Sequence, residues 1–334
     1  MTTLYIPEPG ALLKADQTNF HVFPNRSFSY QVAIAKVEEI VLFGYTNISQ
    51  EALKLVRSLN ISLLFLEQEK PYHSSGQATI KHQQRQLQYC RNHEFTWETT
   101  ESILRASCHN RSHVLKGLLG GVGNRKQGIS DVDSTGNGGK ELRKALSSVE
   151  KAVRILKKIE DNLPLVKGFH TFTKLEEKAD EIYFIALDSL LPPDWLKTYY
   201  QDEVSQQLAC LLNLGYIFLG DKIRTCLEKV GLDPNIGNFH NDVEYTLPLV
   251  ADLMLELGAI FVDYFVVQLT SNHIINCSDF TLPDEEGEIH LYPLPLRKLI
   301  KAWEAKLDTP VKHLRVGKVT YRRCIELQVK EYLA

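Results

Sequence analysis

Residues 28–44 read FSYQVAIAKVEEIVLFG, a run rich in β-branched and aromatic residues that closes on Gly44. Such a run predicts strand. Working outward, LYIPEPG at 4–10, FHVFPN at 20–25 and ISLLFLE at 61–67 have the same character, each broken by Pro, Gly or Asn. Between them SQEALKLVRSLN at 49–60 predicts one helix, with Ser49 as its N-cap. HSSGQ at 73–77 is a short polar connector. From about residue 80 onward the apolar spacing changes to the 3.6-residue period. QQRQLQYCRN (83–92), the long runs at 99–119 and 139–162, and LEEKADEIYFIALDSLL (175–191) all follow it. So do 206–231, 247–269, 297–307 and 321–334. The expected fold class is α+β: a small β-rich N-terminal domain over 1–78, then a larger all-α C-terminal domain over 79–334.

Composition supports a folded chain. Of 334 residues, 44% are hydrophobic and 24% charged, which excludes collagenous, disordered and disulfide-rich classes. The six cysteines are far apart with no CxxC pair, so neither a zinc site nor a thiol redox motif is expected. The start, MTTLYIPEPG, has neither a charged region nor an apolar core of a secretion signal, and a cytoplasmic protein is expected. The apolar stretch 247–269 contains Asp252, Glu256 and Asp263, which argue for a buried helix and against a membrane span.

Net charge is −3, but Arg297 to Lys330 alone carries +7 and the remainder −10. A basic segment on an acidic body is a candidate phosphate-binding surface, or a solvated helix face. The Gly-rich stretch 117–139 is expected to be a flexible surface loop. It lacks the Ser/Thr and spacing of a P-loop. Asp131, Asp133, Thr135 and Gly136 match the start of a calcium loop, but the twelfth position is Leu142, so calcium is not expected.

Three features are candidates for chemistry. At about 100° per residue, Asp252, Glu256 and Asp263 fall within roughly 40° of one another on one helix. Acids on a greasy face must be solvated, paired or metal-bound. The turn Gly231-Leu232-Asp233-Pro234-Asn235-Ile236-Gly237-Asn238-Phe239-His240 presents a histidine twelve residues before Asp252. Glu176 begins a predicted helix, where Thr173-x-x-Glu176 also fits a capping box; composition alone leaves cap and ligand both open.

In this order the motifs resemble the CRISPR-associated spacer-acquisition integrases, the Cas-one family, along nearly the whole chain. The resemblance runs through Gly10-Ala11, Ile40 to Gly44, and Ile48-Ser49-x-x-Ala52-Leu53. It continues through Glu176-x-x-Ala179-x-x-x-Tyr183-Phe184, Gly215-Tyr216, Gly231-Leu232-Asp233-Pro234 and Phe239-His240. Asp252-Leu253-Met254 and Tyr321-Arg322-Arg323-x-Ile325-Glu326-x-Gln328 complete it.

The resemblance implies an N-terminal dimerisation domain, a helical metal- and DNA-binding domain, and divalent-metal-dependent insertion of spacer DNA into a CRISPR array. The implied catalytic residues are Glu176 and His240, and the implied metal ligands a Glu, a His and an acid. The first two map onto Glu176 and His240, but the third falls on Leu255. Glu177, Leu257-Gly258-Ala259 and Ala209 depart from the family pattern around the same site. Asp252 with Glu256, neighbours at i,i+4, are the substitute candidates. His with carboxylates suits Mn²⁺ and tolerates Mg²⁺. DNA contacts are expected from Arg297, Lys301, Arg315, Lys318, Arg322 and Arg323. The implied partners are double-stranded DNA, a second copy of the chain and a Cas-two-type protein, with no membrane. The alternative is a catalytically degenerate relative that binds DNA or a partner.

Overall fold

The computed structural model describes residues 2–25, 28–66, 72–73, 80–127, 137–195, 206–240, 247–285, 287–313 and 315–332. Beyond residue 73 the expected connector at 73–77 lies outside them. The chain forms two compact units, one of residues 1–78 with 291–310 and one of residues 79–290 with 311–334.

The first unit contains two four-stranded sheets. Strands β1 (Thr2–Ile6), β5 (Val37–Phe43), β7 (Ser62–Leu66) and β8 (Tyr72–His73) stand in the order β1-β5-β7-β8. β5 lies between two parallel neighbours, pairing Ile40 with Leu4 and with Leu63. A parallel strand covered on both faces should read as an unbroken apolar run, and Ile40 to Phe43 is buried throughout. Strands β2 (Leu12–Ala15), β3 (Asn19–Phe23), β4 (Tyr30–Ala33) and β6 (Asn47–Ile48) form the other sheet, in the order β4-β3-β2-β6. The stretch 28–44 is therefore not one strand. A 3₁₀ turn at Ile34–Lys36 divides it, sending β4 to one sheet and β5 to the other. Helix α1 (Gln50–Ser58) starts at Ser49, whose hydroxyl accepts from the Ala52 amide. It lays Ala52 and Val56 on a core that includes Ile6, Leu13, Phe20, Ile40 and Leu42.

Helix α9 (Pro293–Asp308) belongs to this unit, which corrects the expected domain assignment of 79–334. Its stripe Leu296, Leu299, Ile300, Trp303 and Leu307 is buried. Glu304 Oε1 accepts from Tyr5 Oη at 2.7 Å, and Arg297 pairs with Glu8.

The second unit is helical: α2 (Ile80–Cys90), α3 (His93–Gln127), α4 (Asn137–Asn162), α5 (Phe169–Asp188), α6 (Gln206–Lys229), α7 (Pro248–Gly258), α8 (Tyr264–Ser271) and α10 (Tyr321–Glu331). Strands β9 (Pro310–His313) and β10 (Gly317–Thr320) pair just before α10. α3 packs against α4, α5 and α7, and α6 against α7 and α10.

Three expectations change here. The Gly-rich stretch 117–139 is not one loop: α3 continues to Gln127 and α4 begins at Asn137, while 128–136 lies outside the described residues. Buried Leu115 and Leu118 hold that part of α3, and Gly117 and Gly120 face open space, so the glycines cost helix propensity without blocking packing. The 247–269 helix is interrupted by a π-helical turn at Ala259–Asp263, which rotates Asp263 away from the register of a regular helix. Finally, α5 begins at Phe169 with Gly168 as N-cap, so Thr173 lies inside the helix and the capping-box reading of Glu176 fails. Among the described residues no helix is long and apolar enough to cross a membrane.

Candidate functional site

Helix α5 buries Phe172, Ala179, Tyr183 and Ala186, and Glu176 falls on the same face between the first two. Its carboxylate is thereby carried to the edge of the helical core. The loop after α6 turns at Gly231, which takes φ +80°. Only glycine adopts that conformation without strain. Gln86 on α2 then fastens the loop. Its amide nitrogen donates to the carbonyls of Asp233 and Ile236 at 2.9 and 3.0 Å, and its oxygen accepts from the Asp233 amide at 2.9 Å. Gly237 passes so close to α7 that a Cβ there would lie 2.7 Å from Pro248 and 3.1 Å from Asp252 Oδ2.

Asp252 is fully buried and organises the loop's end. Its Oδ2 accepts from the amides of Asn238 (2.7 Å) and Phe239 (3.2 Å), and its Oδ1 from the His240 amide (2.9 Å). The same Oδ1 lies 2.9 Å from His240 Nδ1. A carboxylate only accepts, so Nδ1 donates its proton there. The other ring nitrogen, Nε2, stands 3.4 Å from Glu176 Oε1. Burial opposes a charged imidazole, but the hydrogen bonds to Asp252 and Glu176 outweigh it and lift the His240 pKa to about 9.

Glu176 and His240 fit a divalent ion as two of its ligands. Their facing atoms are 3.4 Å apart, near the ~3 Å between adjacent ligands of an octahedral ion with short bonds. Asp252 behind the imidazole is the carboxylate that fixes ring orientation in such sites. It adds no donor of its own, because four N–H groups already occupy its oxygens. Glu256 is directed elsewhere. Its Oε2 accepts from Gln328 Nε2 on α10 at 3.0 Å, and burial, opposed by that hydrogen bond, pushes its carboxyl up to about 7. Among the described residues no three His, Cys, Asp or Glu side chains are grouped to hold a metal ion.

The three acids of the 247–269 segment thus serve three environments. Asp263 accepts from Tyr216 Oη at 2.8 Å, and burial raises its carboxyl to about 6 against the pull of Tyr216 and Arg111. Nearby, Arg111 on α3 pairs with Asp180 on α5 at 2.5 Å and lies over the Tyr183 ring. Sequence reasoning missed Gln86, Arg111 and Asp180. It also missed Asn238 as a clamp: its side chain joins Tyr332 at the end of α10 and accepts from Cys90 Sγ at 3.4 Å. None of these carries a motif; only the tertiary fold brings them together.

The six residues expected to contact DNA are divided between the units. Arg297 and Lys301 are on α9, and Arg315, Lys318, Arg322 and Arg323 are in the helical unit. Arg297 pairs with Glu8, Arg315 with Glu331 at 2.9 Å, and Arg323 with Glu326. Lys301 and Lys318 are exposed.

A family profile described as CRISPR associated protein Cas1 matches residues 4–305. The relative from Thermus thermophilus named CRISPR-associated endonuclease Cas1 3 is 26% identical, over 98% of this chain and 89% of its own. Among solved structures, a casposase bound to integration product superposes with a TM-score of 0.76 at 18% identity, covering 99% of this chain and 89% of that one. A Cas6-RT-Cas1–Cas2 complex superposes with a TM-score of 0.77 at 17% identity, covering 99% of this chain and 34% of that one. At these identities the two structures establish a shared fold.

Proposed function

We propose, from the premise that this chain belongs to the CRISPR associated protein Cas1 family, that it acts on double-stranded DNA as a nuclease and integrase of CRISPR adaptation. The reaction is transesterification. A DNA 3′-hydroxyl attacks a backbone phosphorus of the repeat array, a new P–O bond forms, the P–O3′ bond of the attacked strand breaks, and the proton given up by the attacking hydroxyl is balanced by the one taken up by the leaving 3′-oxygen. Bound Mn²⁺ or Mg²⁺ supplies polarisation of the phosphoryl oxygen. Glu176 and His240 are the residues that would hold it; Asp252 keeps the proton on Nδ1, so Nε2 is the ring nitrogen that would give up its proton to face the ion. Basic side chains grip the duplex backbone without reading sequence. A second copy of the chain and a Cas2-type protein are the partners of this reading.

One observation carries it: His240 is held at both ring nitrogens, by buried Asp252 on one side and Glu176 on the other. The test is strand transfer of a labelled duplex with free 3′-hydroxyls into a repeat-bearing plasmid, with Mn²⁺ present. Product is expected from the parent chain and not from Glu176→Gln. Equal product from both sinks the assignment. A second reading, binding of DNA or a partner without chemistry, is favoured by the missing third acidic donor among the described residues. Duplex binding with no product from the parent chain would select it.

A further inference from the structure

Positive charge gathers a second time in this chain, on α4, in the helical unit. Residues 143–158 hold six Lys and Arg against the single acid Glu150, a net +5. At about 100° per residue, Arg143, Lys144, Lys151, Arg154 and Lys158 fall within roughly 100° of one another. All five are exposed. On the opposite side Ala145, Val149, Ala152, Leu156 and Ile159 are buried, and α4 packs against α3 and α5. Lys157 stands at the edge of the arc and turns to Glu160 and Asp161, at 3.4 and 3.0 Å. The arrangement carries a cost. Lys151 and Arg154 at i,i+3, and Arg154 and Lys158 at i,i+4, are like-charged neighbours that weaken a helix. A polyanion laid along the stripe turns that repulsion into attraction.

We infer that the outer face of α4 is a duplex-binding surface separate from the 297–330 segment, which grips phosphates without reading bases. Its length suits that ligand. From Arg143 to Lys158 the helix rises about 22 Å, and a DNA strand advances about 3.4 Å per phosphate, so the stripe faces about six phosphates of one strand. Its chemistry does too. Ser147 is the one uncharged residue inside the arc, so the face lacks the apolar centre on which a protein partner would be held. Residues 143–158 contain no aromatic side chain on which an unpaired base would stack, which favours a duplex over a single strand. The inference rests on the proposed function, which makes duplex DNA the polyanion that this chain meets.

The experiment measures binding of a fluorescein-labelled duplex by anisotropy over a range of salt concentrations, for the full chain and three double variants. Arg154→Ala/Lys158→Ala removes two charges from the stripe, and alanine, the best helix former, keeps α4 intact. Two phosphate contacts contribute about −1.8 to the slope of log affinity against log salt, so the variant should bind with a slope flatter by that amount. Arg154→Lys/Lys158→Arg keeps the charges and should keep the parent slope. Lys54→Ala/Arg57→Ala removes two exposed charges from α1 in the other unit and should leave the slope within half a unit of the parent. An unchanged slope for Arg154→Ala/Lys158→Ala overturns the inference and leaves the proposed function standing; a protein partner on this face predicts that result. Equal flattening by the α1 pair overturns it as well, since the duplex would then respond to total charge and not to this surface. So does a flattened slope in the charge-keeping pair, which would trace the effect to packing. A parent chain that binds no duplex overturns both the inference and the proposed function.

Discussion

At the scale of single residues, Asp252 and Asp263 show how alike acids on one segment come to do unlike work. Asp252 meets the loop amides and stays saturated by donors. Asp263 meets Tyr216, with Tyr183, Arg111 and Asp180 as its remaining charged or titratable neighbours, and burial lifts its carboxyl from 3.8 to about 6. A raised acid favours the folded state while protonated. Its contribution is complete below pH 3.8 and is lost as pH rises through about 6. Asp263→Asn cannot ionise, so the variant should gain on the parent chain between pH 4 and 6, by at most about 3 kcal/mol, and hold that gain above. Urea midpoints from pH 4 to 8 measure it; a difference that does not change with pH would refute the assignment. Glu176 and His240, which the fold brings to within 3.4 Å of each other, stand out in the sequence because they sit in spaced motifs. The partners of the acids are not, because a buried carboxylate is defined by which N–H and O–H groups the fold delivers. Gln86 and Asn238 are ordinary polar residues until the loop that carries Asn238 folds against α2.

Among the elements, α10 has the least expected reach. Its sequence reads as a basic, DNA-facing helix, yet it touches both α7 and the loop after α6. Gln328 donates to Glu256 on α7, and Tyr332, just past the helix end, joins the side chain of Asn238. Asn238 is buried and lies two residues before His240. Tyr332→Phe keeps the ring packing and removes one hydroxyl from a buried amide, which costs about 1 kcal/mol. Hydrogen exchange should then quicken at the amides of 238–240, while the middle of α6 keeps its protection. Uniform acceleration across the helical unit would mean that Tyr332 contributes only to global stability. Helix periods reveal that α7, α8 and α10 exist. The π turn between α7 and α8 leaves no such mark, because Ala259 to Asp263 is as apolar as the helices around it. It becomes intelligible only in the packing, where Gly258 lies against Tyr216 so closely that a Cβ would sit 2.8 Å from the ring.

For the whole molecule, the strand-to-helix change near residue 80 is readable from the switch of apolar period, but the return of α9 to the first unit is not. An amphipathic stripe says that a helix must be covered, and not by which core. That assignment changes the meaning of the +7 segment at 297–330, since its charge is shared between two units and cannot be treated as one helix face. As a measure of phosphate affinity, the charge count alone is then too high, because Arg297, Arg315 and Arg323 already face carboxylates. An exposed ion pair gains little by itself, but its carboxylate still offsets the field that a phosphate would feel. Lys301 and Lys318 are exposed, one in each unit. Each phosphate contact contributes about −0.9 to the slope of log affinity against log salt. Lys301→Ala and Lys318→Ala should therefore each flatten that slope by about one contact, and Arg297→Ala and Arg323→Ala by clearly less. If all four substitutions flatten it equally, the arginines exchange their carboxylates for phosphate on binding. If only those in one unit matter, the duplex runs over that unit alone.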